Sequence, residues 1–291
     1  MSPSIAEKYL GYPLIPAVKD TIFPSAVVQS MLSTELRELH REIAERMPGN
    51  PAAEGYKVYS QVDEDGVIDA IYRKLGAGTQ VFVELGCGNG LENNTHHLLL
   101  RGWRGVWVDG SPKNIGSIAR QIPLSSARLR VEQAFITREN VRDVVRRALA
   151  TLGGSSHEID FLSIDLDGND AILLDRLLEE HHPRLVCVEY NAKFPYPTDV
   201  EVAYDAEHTW SGDDYQGASL AAFVRHVGDR YRLVSCNVSG VNAFFVRSDL
   251  AGVFPATPVE LLFQPPRYHL IQILSGHPPS FKHLANVLRT P

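Results

Sequence analysis

Apolar residues recur every three or four positions at Val28, Leu32, Leu36, Leu39, Ile43 and Met47. That spacing predicts an amphipathic helix over 25–47, stopped by Pro48-Gly49-Asn50. Upstream, residues 1–24 hold four prolines and read as an irregular arm. A second helix is expected at about 63–75, with Val67, Ile68, Ile71, Tyr72 and Leu75 on one face. From residue 80 the texture changes. QVFVEL (80–85), GVWVD (105–109), LRVEQA (129–134), IDFLSIDL (159–166) and RLVCVEY (184–190) are nearly continuous apolar runs. Strands covered on both faces read this way. Helical segments fall between them: 91–101, a helix opened by Ser111-Pro112, and one carrying Val141, Val144, Val145, Ala148 and Leu149. Thr137 is the expected cap of that last helix and Gly153-Gly154 its stop, and a further helix carries Ile172, Leu173, Leu177 and Leu178. Alternation of this kind implies βαβ units and a parallel sheet. After a helix at 217–229, YRLVSCN (231–237) and AFFVR (243–247) are joined only by VSGVN, so they must run antiparallel.

Composition narrows the function classes. The 291 residues carry a net charge of −7, with 44% hydrophobic and 22% charged positions, ordinary for a soluble globular chain. No apolar run reaches the ~18 residues of a membrane span. A net negative chain lacks the basic footprint that nucleic-acid binding needs, so neither nucleic acid nor membrane is an expected partner. Cys87, Cys187 and Cys236 are widely spaced and form no CxxC pair, so neither a zinc site nor a disulfide framework is indicated. The first residues lack a basic stretch followed by an apolar one, and the expected compartment is the cytoplasm.

Candidate chemistry gathers at the strand ends. ELGCGNG places Gly86, Gly88 and Gly90 between a strand and a helix. Glycine permits the sharp turn and lets a ligand approach the backbone. A dinucleotide fingerprint would place its third glycine at position 91, which is Leu here. Asp109 ends the next strand, where a carboxylate can accept hydrogen bonds from ribose hydroxyls. Ala134 and Phe135 close the third strand, and Phe135 reads equally as an adenine cover or as core. At the fourth strand end Asp165 and Asp167 are expected to split, with only Asp165 facing the site. Glu189 and Asn191 follow the fifth strand. Asp165, Glu189 and Asn191 could hold a hard cation through oxygen ligands. Plain hydrogen bonding is favoured over a metal there, and no metal site is assigned. The stretch from Asn191 to Leu220 is too long for a passive connection. It mixes Phe194, Tyr196, Tyr204, Trp210 and Tyr215 with Asp205, His208, Asp213 and Asp214. Its acidity disfavours an anionic substrate.

These motifs together resemble the FkbM-type branch of S-adenosyl-L-methionine (SAM) dependent methyltransferases over about 59–250. Ser60, Gln61, Glu64, Asp65 and Gly66 match an element that precedes the glycine motif in that family. Asn94 and Thr95 match its helix start, and Gly102, Trp103 and Gly105 its turn before the second strand. VEYNAKF, YQGASL and GVNAFFVRSDL resemble the later part of a bacterial subgroup, while Val62-Asp63 departs from the usual pair.

The resemblance implies an α/β, Rossmann-like class I methyltransferase sheet of five parallel strands plus a terminal antiparallel hairpin. An N-terminal arm and helical cap (1–58), a core (59–250) and a C-terminal tail packed on it (251–291) are the expected divisions. It further implies SAM as cofactor, bound by Gln61, Glu84, Gly86, Gly88, Asn94, Asp109, Gly110, Ser111, Ala134, Phe135 and Asp165. Gln61 and Asn94 would lie near its methionine part. Methyl transfer to an oxygen, in preference to a nitrogen, of a small-molecule acceptor is the expected reaction, in a setting such as natural-product metabolism. Glu189 or His208 would be the base, and Asp165 would orient SAM or the acceptor. Three rivals stand beside it: intramolecular displacement on SAM releasing methylthioadenosine, an NAD-dependent oxidoreductase, and a non-catalytic binding module. A homodimer contact through the Leu36/Leu39/Ile43 stripe of the first helix is left open.

Overall fold

The computed structural model describes residues 22–152 and 158–289. Most of the predicted arm, together with the Gly153-Gly154 stop, lies outside the described residues. Helix α1 (Ile22–Arg46) begins inside what reads as the arm. Leu32, Ile43 and Met47 are buried, and Leu36 and Leu39 pack partly buried against the same apolar cluster. The stripe is therefore turned toward the chain's own core.

Seven strands form one sheet in the order β3-β2-β1-β4-β5-β7-β6. They are β1 (Val81–Leu85), β2 (Arg104–Asp109), β3 (Leu129–Gln133), β4 (Phe161–Ile164), β5 (Leu185–Glu189), β6 (Tyr231–Cys236) and β7 (Asn242–Arg247). The first five are parallel, and β1 pairs with both β2 and β4. β7 runs antiparallel between β5 and β6, with Cys187 opposite Phe244 and Glu189 opposite Asn242. Five parallel strands with an antiparallel pair match the expected Rossmann-like α/β sheet. Because the chain goes outward from β1 to β3 and then crosses back to β4, a crevice opens at the carboxyl ends beside β1. Ligands of open α/β sheets bind at such a switch point.

Helices cover both faces. α2 (Glu64–Leu75) precedes β1, and α3 (His96–Leu100), α4 (Pro112–Ala119), α5 (Val141–Ala150) and α6 (Asp170–Leu178) fill the crossovers. α7 (Leu220–Val227) leads to β6, and α8 (Val259–Leu262) and α9 (Lys282–Arg289) follow the sheet. Ser111 caps α4 as expected, accepting a bond from Asn114 N with Pro112 in the first turn. Ser219 does the same for α7.

Two boundaries differ. α3 starts at His96 rather than near 91, because residues 93–95 are drawn onto Glu84. α5 starts after Asn140 rather than Thr137. Asn140 spends its side chain bridging Thr137 N (2.9 Å) and Phe135 O (2.9 Å), which shapes the exit from β3. Among the described residues no helix is long and apolar enough to cross a membrane. All three cysteines are free and buried.

Candidate active site

A cavity of about 710 Å³ lies at the carboxyl ends of β1 to β4. The glycine turn forms one wall. Gly86 N and Cys87 N both donate to Val108 O, fastening the turn to β2. Gly86 has φ +86°, and a Cβ there would lie 1.7 Å from Asp165 O, so only glycine lets the β1 and β4 ends meet this closely.

Asp109 stands at the end of β2, buried except for its face on the cavity. Its Oδ2 accepts from Gly88 N (2.9 Å), and its Oδ1 from Ser111 N (2.8 Å) and Asn114 Nδ2 (3.1 Å). These donors aim the carboxylate, and its unused lone pairs remain for a ligand. Gly110, Ser111, Ala134 and Phe135 continue this wall. Phe135 is 50% exposed, so the reading of it as core is wrong. It lies just past the end of β3, where nothing covers it as the strand covers its own residues.

Glu84 also borders the cavity, but its oxygens are occupied. Oε2 accepts from Asn93 Nδ2 (2.7 Å) and Thr95 Oγ1, and Oε1 from Asn94 N (2.8 Å). Burial pushes its carboxyl up to about 7 against these donors. Its work is to fold residues 93–95 across the end of β1. That places Asn94, whose amide reaches Ser163 Oγ at 3.1 Å, on the cavity wall.

The opposite wall is acidic. Carboxyl oxygens of Asp165, Asp167 and Glu189 lie within 4.8 Å of one another. The expected split of Asp165 and Asp167 is overturned. Residues two apart share a face of an extended chain, and β4 already ends at Ile164. Asp167 then adopts a left-handed φ of +57°, held by Asp170, whose buried carboxylate accepts from Leu166 N (2.8 Å) and Gly168 N (2.9 Å). Asp165 and Asp167 line the cavity, whereas Glu189 does not. Glu189 instead lies behind Asp165, their carboxyl oxygens within 4.8 Å, a closeness that favours a proton kept on one of the two. Burial pushes both carboxyls up; Glu189 pulls Asp165 back down while Asp167 and Asp170 add to its rise, and Asp165 raises Glu189 further.

Asn191 is not part of this group. Its amide donates to Asp214 O (3.0 Å) and Gln216 O (3.1 Å), tying the long loop to its own base. The oxygen set that could hold a hard cation is therefore Asp165, Asp167 and Glu189, in place of the set with Asn191. His208 does reach the cavity, with Thr209 and Trp210. Its ring lies over Gly168, where a Cβ would meet Cδ2 at 2.3 Å, and Nε2 is buried without a partner.

Gln61 enters from the segment before β1. Asp65 organises that segment: its Oδ2 accepts from Val58 N, Tyr59 N, Ser60 N and Ser60 Oγ at 2.7–2.9 Å. Glu64 anchors it to the far strands through Val62 N (2.8 Å), Asn237 Nδ2 (2.6 Å) and Asn242 Nδ2 (3.2 Å). Gly66 allows the crossing, since a Cβ would lie 2.1 Å from Tyr56 N. Lys57 Nζ donates to Gln61 O at 2.7 Å and fixes its backbone.

Sequence reading missed Asn93, Asn114, Asn169 and Asn242, which also line the cavity. Asn114 sits in the first turn of a helix whose cap was visible, and Asn242 pairs in register with Glu189. Both positions follow from elements already legible. Asn93 and Asn169 depend on loop geometry that periodicity does not encode.

No protein-family model and no curated protein matches this chain. Among solved structures it is similar to an O-methyltransferase from Bacillus cereus in complex with SAH, at 14% identity and a TM-score of 0.41, over 79% of this chain and 96% of that one. It is similar to an SAH-bound methyltransferase from Podospora anserina at 12% identity and a TM-score of 0.40, over 81% and 99%. A TehB-like SAM-dependent methyltransferase from Corynebacterium glutamicum matches at 16% and 0.35, over 77% and 99%. These likenesses are distant, and the fold rests on this chain's own strand order and register.

Proposed function

We propose that this chain is a class I methyltransferase that binds SAM in the cavity and methylates an oxygen, in preference to a nitrogen, of a small-molecule acceptor. One observation carries the reading. The Asp109 carboxylate is aimed by three donors along a glycine turn, with the open ring of Phe135 beside it. That is the donor–acceptor pattern an adenosine needs: a carboxylate for the ribose hydroxyls and an apolar face for the base. Gly86 and Gly88 let the ligand approach the turn, and Gly110, Ser111 and Ala134 complete the nucleoside end. Gln61 and Asn94 face the methionine end, supported rather than contacted by Glu84. The FkbM-type placement is part of this proposal. It is supported by the definite work Ser60, Glu64 and Asp65 perform in presenting Gln61.

SAM when bound supplies a sulfonium whose methyl group needs no further activation. The chain's share is to orient the acceptor and to take up its proton. Orientation of two reactants is worth ~7–11 kcal/mol, and a positioned base adds ~10²–10⁴-fold. Asp165, on the wall beside Glu189, would orient the acceptor. Glu189 does not line the cavity, whereas His208 faces it directly.

Calorimetry with S-adenosylhomocysteine tests the reading. The wild type is expected to bind. Asp109→Ala should weaken binding by ~10–100-fold, since hydrogen bonds to charged groups are worth ~1.5–3 kcal/mol. An absence of wild-type binding overturns the proposal, and an unchanged Asp109→Ala affinity overturns the ribose assignment. Recovery of methylthioadenosine instead of S-adenosylhomocysteine would mark intramolecular displacement.

A further inference from the structure

The connection between β5 and α7 brings His208, Thr209 and Trp210 to the cavity wall. It is stitched near that wall by Asn169, whose amide donates to Asp205 O (2.8 Å) and accepts from Asp205 N (3.3 Å). Its base is a short antiparallel bridge between Glu201 and Ala218, flanked by Val202 N–Gly217 O (3.0 Å) and Ser219 N–Val200 O (2.8 Å).

His226 of α7 sits between that base and α6. Its Nδ1 meets the Asp175 carboxylate of α6, and its Nε2 meets the Glu201 carboxylate of the loop at 2.5 Å. A neutral imidazole has one N–H only, so both bonds together require the imidazolium. We propose that charged His226 is a positioning residue. It rivets the base of the loop to α6 and α7, holds the 208–210 wall in place, and releases that wall when it loses its proton.

The surrounding charges agree. Asp175 also binds Arg230 of the turn after α7 at 2.9 Å. Arg225 of α7 holds Asp199 of the loop at 2.8 and 3.1 Å and lies 3.4 Å from Glu201; its approach to His226 Nε2 at 3.4 Å opposes the charged ring. Three carboxylates thus face two guanidinium groups, and only the imidazolium balances them. The bond to Asp175 raises the His226 value above the ordinary imidazole range, burial opposes, and Glu201 adds to the rise. Burial also pushes Asp175 up, but His226 and Arg230 outweigh it and leave its carboxyl below the ordinary range. A raised folded-state value means the contribution is complete below the ordinary histidine value of ~6.5 and is lost as pH rises through the raised one.

The inference rests on the cavity wall and not on methyl transfer, so its test reads the loop. Hydrogen exchange of the full chain, corrected for intrinsic rates, is followed at pH 6 and pH 9 beside an NMR titration of the His226 ring. Amides of 199–218 are expected to lose protection roughly tenfold or more at pH 9 while those of β1 and β4 keep theirs. Glu201→Gln should move the loss to lower pH together with the ring titration. His226→Gln should leave the loop weakly protected at both values. Equal loop protection on either side of the ring titration overturns the proposal, as does a His226→Gln loop protected like the wild type. If His226→Gln does not fold, the coupled shift in Glu201→Gln decides alone.

Discussion

At the end of β4 two carboxyl groups lie within 4.8 Å of each other, where they would repel if both were charged. Burial raises both Asp165 and Glu189 well above the ordinary carboxylate range, so the pair is expected to share a proton. The folded chain therefore binds more protons than the unfolded chain once pH exceeds ~4, and stability falls as pH rises from there through the raised values. Asp165→Asn keeps a donor for Glu189 and removes the need for the shared proton. It is expected to unfold at higher urea than the wild type at pH 8, by about 1–2 kcal/mol, with the advantage shrinking at pH 5. A variant less stable than wild type at both pH values would show that the pair does not share a proton. Asp109, Asp165 and Glu189 were legible because they end apolar runs, and a run's end marks a strand's end. Asp167 was misplaced because positions two apart on an extended chain share a face, and its left-handed backbone, held by Asp170 three residues on, leaves no periodic signal.

Among the elements, the strand–turn–helix around Glu84 shows where pattern and tertiary contact part. Residues 91–95 are compatible with a helix, yet Glu84 binds Asn93, Asn94 and Thr95 and delays α3 to His96. A buried carboxylate with three donors outweighs one further helical turn. The glycines of the same turn are alike in sequence and unlike in space. At Gly86 a Cβ would lie 1.7 Å from Asp165 O, which is backbone and cannot yield, whereas at Gly88, with φ +56°, nothing lies within 4 Å. Gly88→Ala should therefore cost only the left-handed strain, about 1–2 kcal/mol in urea unfolding. Gly86→Ala must part β1 from β4 and should cost more than ~3 kcal/mol or prevent folding. Equal losses would mean that the turn adapts freely and that the close approach to Asp165 is not required. Sequence spacing marked both positions as glycine, but only the crossover back to β4 distinguishes them.

Across the whole molecule, the segment after β7 closes over the glycine turn from outside the sheet. Phe281, buried just before α9, stacks on His96 at 5.6 Å, and His96 stacks on Tyr59 at 3.7 Å with nearly parallel rings. Burial lowers His96 to about 4, so it is neutral and its Nδ1–H donates to Gly90 O at 2.7 Å. A Cβ at Gly90 would touch both Phe281 and Trp107 at 3.0 Å. The segment before β1, the turn after β1 and the C-terminal segment thus meet in one aromatic stack. A tail packed on the core was expected, but the stack itself was not legible in the sequence, because a lone Phe among prolines and polar residues carries no period. Phe281→Ala should cost about 3–5 kcal/mol, the range for emptying a buried aromatic site. It should also weaken S-adenosylhomocysteine binding, because Gly90 loses the surface it rests on. Leu288→Ala, at the far end of α9 and 9% exposed, is the control: it should lower stability while leaving that affinity near wild type. Calorimetry and urea unfolding on both variants separate the two effects. If Phe281→Ala lowered stability and bound the ligand as tightly as the wild type, the stack would be packing alone, without influence on the turn it covers.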